Sequence, residues 1–437
     1  MKSSRVVNNA VWIIVCKAIQ AVLNFVVTLL SARYLGPSNY GLISYAASVT
    51  AFFVPFAQLG LNNIIVQEVI NDPEEEGEII GTSILYSVGS SIVSIICAGV
   101  ITYFLNIGET DTLLVTLLYS VSLIFQCTEM IQYWYQAKLL SKYTSIISLV
   151  SYIIVSAYKI ALLALKKSVY WFAISYSIDF AIISVGLIII YYKLNGSKFK
   201  TSKGRFIKLF NKSKYYIIPG LMVTIFTHTD RIMLKQMIDN AAAGYYSAAV
   251  SCAGITGFVI NAIIDSFRPP IFEANKNNLD RFEKNVIMLY STVIYFCLVQ
   301  SVLTVVFSDL IVRIIYGEAY LTAVPALKIV TWYVTFACLG TVRNIWMLAK
   351  NRQDVLWIIN VSGALANIIL NFILIPIIGI DGAALASLVS QGFANVVLGF
   401  ILPSIRENNR LMVESLKPKY MIEMVRDYLI PIINRRR

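Results

Sequence analysis

The stretch Ala10-Val11-Trp12-Ile13-Ile14-Val15-Cys16-Lys17-Ala18-Ile19-Gln20-Ala21-Val22-Leu23-Asn24-Phe25-Val26-Val27-Thr28-Leu29-Leu30-Ser31-Ala32 carries a single charge, Lys17. A helix needs about 20 mostly apolar residues to cross a bilayer core, and this run supplies them. It follows a short basic segment, Met1 to Arg5, and no small-residue cleavage site precedes the next apolar run. It therefore reads as an uncleaved first transmembrane helix and not as a signal peptide.

Comparable runs recur near 42–66, 80–105, 112–135, 144–165 and 169–192, and again near 215–238, 246–267, 286–308, 324–348, 355–378 and 382–404. The window rule thus predicts about twelve helices. Composition agrees: hydrophobic residues are 58% and charged residues 14% of the 437, and mean hydropathy is +0.71. A soluble domain averages about 25% charged residues, so most of this surface must face lipid. The expectation is an all-α, polytopic integral membrane protein. The connections hold turn signals such as Leu35-Gly36-Pro37 and Asn106-Ile107-Gly108, and no loop is long enough for a catalytic domain.

One His, His228, argues against a His-ligated metal centre or a Ser-His-Asp triad, so no catalytic or metal site is expected. The six cysteines lie in apolar stretches without a C-x-x-C and read as small core residues. A net charge of +12 would suggest nucleic acid in a soluble protein; here membrane-surface basic loops explain it, and no nucleic-acid partner is expected. Placing the N-terminus inside puts nearly all loop Lys and Arg in the cytoplasm, leaving only Arg33, Lys166, Lys167 and Arg313 outside. Both termini are then cytoplasmic. The acidic stretch Asp72, Glu74, Glu75, Glu76 and Glu78 is the exception, and acids count little in this rule.

Eight basic residues and no acid lie from Lys193 to Lys214, almost midway along the chain. They divide it into a six-helix lobe (1–192), a basic cytoplasmic linker (193–214), a second six-helix lobe (215–404) and a basic tail (405–437). The halves share motifs: Gly41-x-x-Ser44-x-Ala46-x-Ser48 recurs as Gly244-x-x-Ser247-x-Ala249-x-Ser251, and Trp134-x-x-Ala137-Lys138 as Trp346-x-x-Ala349-Lys350. Six helices per half is even, so the copies are parallel, a design seen in transporters.

Four segments carry a family likeness: Ala32-Arg33-Tyr34-Leu35-Gly36-Pro37-x-x-Tyr40-Gly41, Asp230-Arg231-Ile232-Met233-Leu234 with Ala243-Gly244-Tyr245-Tyr246-Ser247, Tyr316-Gly317-Glu318-x-Tyr320, and Asn367-Ile368-Ile369-Leu370-Asn371 with Ile375-Pro376-x-x-Gly379. In this order they resemble the O-antigen (Wzx-type) polysaccharide flippases of the multidrug/oligosaccharidyl-lipid/polysaccharide exporter superfamily. The resemblance implies two six-helix lobes in a V around a central cavity, in the bacterial inner membrane. It implies a non-enzymatic transporter that moves oligosaccharide units on undecaprenyl diphosphate, for O-antigen or a related surface polysaccharide, from the cytoplasmic to the periplasmic leaflet. Membrane lipids, a polysaccharide polymerase and a chain-length regulator are the further partners it suggests. No cofactor is implied, and coupling to an H+ or Na+ gradient stays open. Peptidoglycan-precursor flippases usually carry two more C-terminal helices; here the region after Pro403 has only short apolar patches such as Tyr428 to Ile433. The alternative reading is a multidrug/cation antiporter of the same superfamily, whose cavity would be acidic. A membrane-embedded polymerase or acyltransferase is disfavoured by uniformly short predicted external loops.

Ionisable residues at membrane depth cost roughly 2.5–3.5 kcal/mol each on insertion scales, so each asks for a partner or a watery cavity. In the seventh span His228, Arg231 and Lys235 share one helical face, with Asp230 on the neighbouring stripe. These four and Lys17 are the substrate-cavity candidates, with Arg231 suited to phosphate by its planar fork. The competing reading has Asp230 and Arg231 pairing with other helices and Lys235 snorkelling to the periplasmic surface. Lys159 and Asp179 are expected to form an interhelical salt bridge and Asp265 to pair locally with Arg268, while Lys17 either pairs with Glu129 or meets the diphosphate on the cytoplasmic side. These acids and Lys159 are the structural or coupling ion-pair candidates. Trp134 and Trp346 are expected in the interfacial aromatic belt.

Overall fold

In hydrocarbon every backbone N–H and C=O must be satisfied within its own segment, and the apolar runs comply by folding as helices. The computed structural model describes residues 2–424 and 426, and among these there is no strand. Among the described residues eight helices are long and apolar enough to cross a membrane, nine if the bent pair Asn240–Ala253 and Gly257–Asn277 is one span. Two of the eight are continuous only in name: Lys2–Ala57 is interrupted at Gly36, and Leu356–Gly392 at Ile378 and Gly379. Counting each as two, and adding Ile217–Met237, gives the twelve expected. That last helix misses the apolar criterion because it holds His228, Asp230, Arg231 and Lys235.

The elements used below are α1 (Lys2–Ala57), α2 (Ile65–Asn71), α3 (Glu76–Leu105), α4 (Ser141–Ala164), α5 (Val169–Lys193), α6 (Lys203–Ser213), α7 (Ile217–Met237), α8 (Asn240–Ala253), α9 (Leu279–Val306), α10 (Val324–Ala349), α11 (Leu356–Gly392) and α12 (Arg406–Glu414).

Contacts divide the chain into two compact units, Met1–Gly244 and Tyr245–Arg437. The division thus falls beyond the 193–214 segment, and the seventh span groups with the first unit. One reason is packing in the duplicated motif. A Cβ on Gly41 would collide with the Asn240 carbonyl, and one on Gly244 with the Pro37 carbonyl, so these two helix starts approach at backbone contact.

The basic segment is no free spacer. Ser202 caps α6 by accepting from the Arg205 amide (3.3 Å), and the apolar stripe of α6 buries Leu209 and stacks Phe206 on Tyr86 of α3 (3.7 Å between centroids, 4° between planes). Upstream, the Lys200 amide donates to the Gly77 carbonyl (3.1 Å), an approach that bare Gly77 and Gly81 permit. This docking also explains the acidic loop that broke the charge rule. Arg205 pairs with Asp72 (3.1 Å), Glu75 and Glu78 (3.7 Å), Lys212 with Glu68 (2.7 Å) and Lys138 with Glu76 (2.9 Å).

Two aromatic expectations fail. Trp134 and Trp346 are 3% and 2% exposed, so they are core residues and not belt residues. Trp134 packs edge-on to Tyr135 and Tyr191 (5.1 and 4.8 Å), where burying the large ring outweighs leaving it at the interface. In the second unit Arg343 is 3% exposed and donates to the Ala394 carbonyl (3.0 Å) of the π-helical turn Phe393–Val397. Asn409 of α12 donates to Val396 of the same turn (2.8 Å), and Lys284 pairs with Glu423 (3.1 Å). The start of the tail is therefore packed structure; Tyr428–Ile433 and the terminal arginines lie outside the described residues.

Candidate functional site

The polar stretch of α7 is placed against α1 and α3 within the first unit. His228 Nδ1 lies 3.4 Å from Ser48 Oγ, a hydroxyl supplied by the duplicated small-residue motif. Asp230 is 4% exposed, whereas Arg231, one position on, is half-buried and donates through Nη1 to the Thr227 carbonyl of its own helix (3.0 Å). The shared face read from the sequence is thus graded in depth, and Arg231 is its most accessible cation.

Lys235 does not snorkel. It is 6% exposed, and its ammonium donates to Glu109 Oε2 (2.5 Å) and to Asn106 Oδ1 while lying 5.5 Å from the Tyr45 ring centre. Gln236 donates to Asn106 Oδ1 (2.9 Å) and to the Tyr45 hydroxyl (3.3 Å), and Asn106 Nδ2 donates to that hydroxyl (2.9 Å). Thr112 donates to Glu109 (2.6 Å). The reason for the inward turn is local. The α3 exit offers a carboxylate and an amide oxygen at hydrogen-bond distance, so the ammonium is satisfied without reaching water. Glu109, outside the spans, is held below its usual carboxylate range chiefly by the Lys235 hydrogen bond and then by the Thr112 hydroxyl. Lys235 ties α7 to the 106–109 turn.

The predicted Lys159–Asp179 bridge is not a direct ion pair. Asp179 Oδ1 instead accepts from Ser151 Oγ (2.5 Å), which also donates to the Asp179 carbonyl (3.0 Å). Ser151 lies two turns before Lys159 on α4 and reaches the carboxylate with a shorter, stiffer side chain. Lys159 and Glu129 remain within electrostatic range of Asp179. Lys17 is exposed and makes no ion pair with Glu129. Nearby on α1, Asn24 accepts from the Tyr152 hydroxyl (2.6 Å). Asp265 and Arg268 form a solvent-exposed pair (3.3 Å). The described residues contain no cluster of three His, Cys, Asp or Glu able to hold a metal. Sequence reading missed Asn106, Glu109, Tyr45, Gln236 and Ser151. The Asn106-Ile107-Gly108 turn signal had marked the place, but not the partner.

An all-α bundle whose spans carry partly buried charges defines a polytopic membrane protein with a polar α7 track. A family model described as polysaccharide biosynthesis protein matches residues 6–275, and the chain belongs to this family. It is 23% identical over 391 residues to the capsular polysaccharide biosynthesis protein CapF of Staphylococcus aureus, covering 88% of this chain and 96% of that protein. It is 25% identical over 199 residues to the probable low-salt glycan biosynthesis flippase Agl15 of Haloferax volcanii, covering 45% and 42%. Among solved structures it resembles the lipid II flippase MurJ in an inward closed conformation (TM-score 0.69, 16% identity, 96% and 93% covered). It also resembles an inward-facing multidrug resistance MATE family transporter of the MOP superfamily (TM-score 0.67, 11% identity, 90% and 96% covered). At these identities the structural likeness concerns the fold.

Proposed function

We propose that this chain is a flippase that moves oligosaccharide repeat units linked to undecaprenyl diphosphate from the cytoplasmic to the periplasmic leaflet, by alternating access and without chemical conversion. The observation that carries the reading is the family match over 6–275, which includes the whole polar track of α7. Relatives named for capsular polysaccharide biosynthesis and glycan flipping support it. Within that reading Arg231 meets the diphosphate or acidic sugars: it is half-buried, and its fork replaces hydration that the bilayer core removes. Asp230 orients that surface, and Lys235 holds α7 in place. The setting is the bacterial inner membrane with both termini cytoplasmic. Deleting the gene in its parent strain tests the class. Loss of surface polysaccharide with accumulation of lipid-linked single repeat units is the expected result; normal polysaccharide would contradict it.

A multidrug/cation antiporter is the second reading, favoured by one observation: Glu129 and Asp179 lie near each other in the first unit, and neither makes a direct ion pair with a described cation. Ethidium efflux in a pump-deficient host separates the two, since an antiporter confers it and a glycolipid flippase does not. Under the flippase reading the same two carboxylates are candidates for coupling to an H+ or Na+ gradient.

A further inference from the structure

The docked basic segment has a second face. Helix α6 turns Leu209 and Phe206 toward α3, and Arg205 is taken by three carboxylates. What remains outward is Lys203, Ile207, Lys208, Asn211 and Lys212, at i, i+4, i+5, i+8 and i+9 along one side. Lys193, Lys198 and Lys200 are exposed beside them. Of these six lysines only Lys212 pairs with a described carboxylate; of the acids at 68–78, Glu68, Asp72, Glu75, Glu76 and Glu78 are held by Lys212, Arg205 and Lys138, and Glu74 is exposed. Apolar and aromatic side chains interleave with the lysines: Ile207 is 50% exposed, Tyr215 71% and Ile218 66%. This end of the bundle is also where the spans Pro73–Leu105 and Val169–Lys193 begin and stop, so the surface lies at headgroup height.

We infer that this face is a binding surface for the phosphate headgroups of anionic phospholipids, with Lys200, Lys203 and Lys208 as its charges and Ile207, Tyr215 and Ile218 seated at the acyl boundary. Cations on an amphipathic helix with apolar residues between them match an anionic interface in both charge and depth. The Arg205 clamp and the Phe206–Tyr86 stack fix the helix so that the lysines cannot turn inward. The positions are independent of the α7 track, so the inference stands whatever the transported molecule is.

The test uses full-length protein in detergent at low salt, titrated with phosphatidylglycerol or phosphatidylcholine and followed by its thermal unfolding midpoint. Phosphatidylglycerol should raise the midpoint and phosphatidylcholine should not. In the triple variant Lys200→Gln, Lys203→Gln, Lys208→Gln, the lipid concentration giving half the rise should increase on the order of a hundredfold, from about fivefold per lysine. The lipid-free midpoint should stay unchanged, because none of the three has an ionic partner to lose. The triple Lys→Arg variant should respond as the parent does. Inorganic diphosphate, offered alone, should give no rise at matched concentration. An unchanged titration in the Gln variant, an equal response to phosphatidylcholine, or a full response to free diphosphate would each overturn the inference.

Discussion

Exchanging Glu109 for Gln should loosen α7 by removing the charge that faces a buried ammonium. Lys235 is 6% exposed and hydrogen-bonds Glu109 at 2.5 Å. Hydrogen bonds to charged groups contribute roughly 1.5–3 kcal/mol. The Glu109 side chain is 49% exposed, so solvent screening places the pair near the lower part of that range, about 2 kcal/mol. In a unit the size of Met1–Gly244 this corresponds to a midpoint lowered by about 4–8 °C. Lys235→Met should cost less, because it removes the buried charge while keeping the stem, Glu109 can hydrate, and Asn106 retains the Gln236 donor. The double variant should therefore lose clearly less than the sum of the singles. The pH dependence has a fixed sign. Glu109 titrates below its usual range in the fold, so its contribution is complete above the unfolded carboxylate value of about 4.3 and fades as pH falls through the folded value. The gap between parent and Glu109→Gln should close in acid. Thermal unfolding of detergent-purified protein at two pH values measures all of this. Additive losses, or a gap independent of pH, would refute the pinning role.

Three further outcomes follow from other contacts. Gly41→Ala should destabilise by about 1–3 kcal/mol, through overpacking against the Asn240 backbone, whereas Gly89→Ala, with open space around it, should be neutral in membrane abundance and midpoint. Ser151→Ala should lower the midpoint and couple to Asp179→Asn more strongly than Lys159→Met does, a double-mutant comparison that reads which partner holds the carboxylate. Arg343→Met should disturb the docking of α12, seen as faster proteolysis near Arg406, because the Ala394 carbonyl loses its donor beside the Asn409 contact.

How much was legible in the sequence depended on the range of the interaction. Span positions and the broken helix at Gly36-Pro37 could be read because hydropathy and turn chemistry are local. The candidate charges of α7 were visible for the same reason: an ion inside an apolar run stands out. Their partners were not. Lys235 and Glu109 are far apart in the chain, and the rule that predicts snorkelling knows the depth of a lysine but not which carboxylate folds beside it. Ser151 was hidden because a serine at membrane depth is common, and only geometry shows its hydroxyl on Asp179. The basic segment was identified by composition, but charge alone did not reveal that the acidic stretch at 68–78 was its docking partner. Trp134 and Trp346 show the opposite error, where a statistical preference for interfaces lost to packing.

Flipping itself is tested most directly in proteoliposomes that contain the purified protein and a fluorescent undecaprenyl-diphosphate oligosaccharide, with a membrane-impermeant quencher reporting the share in the outer leaflet. Parent protein should exchange the inner pool to the outside, while Arg231→Ala, folded with an unchanged midpoint, should leave it quench-protected and Arg231→Lys should recover part of the rate. Full exchange by Arg231→Ala would contradict the role given to Arg231, and no exchange by the parent protein would contradict the flippase itself.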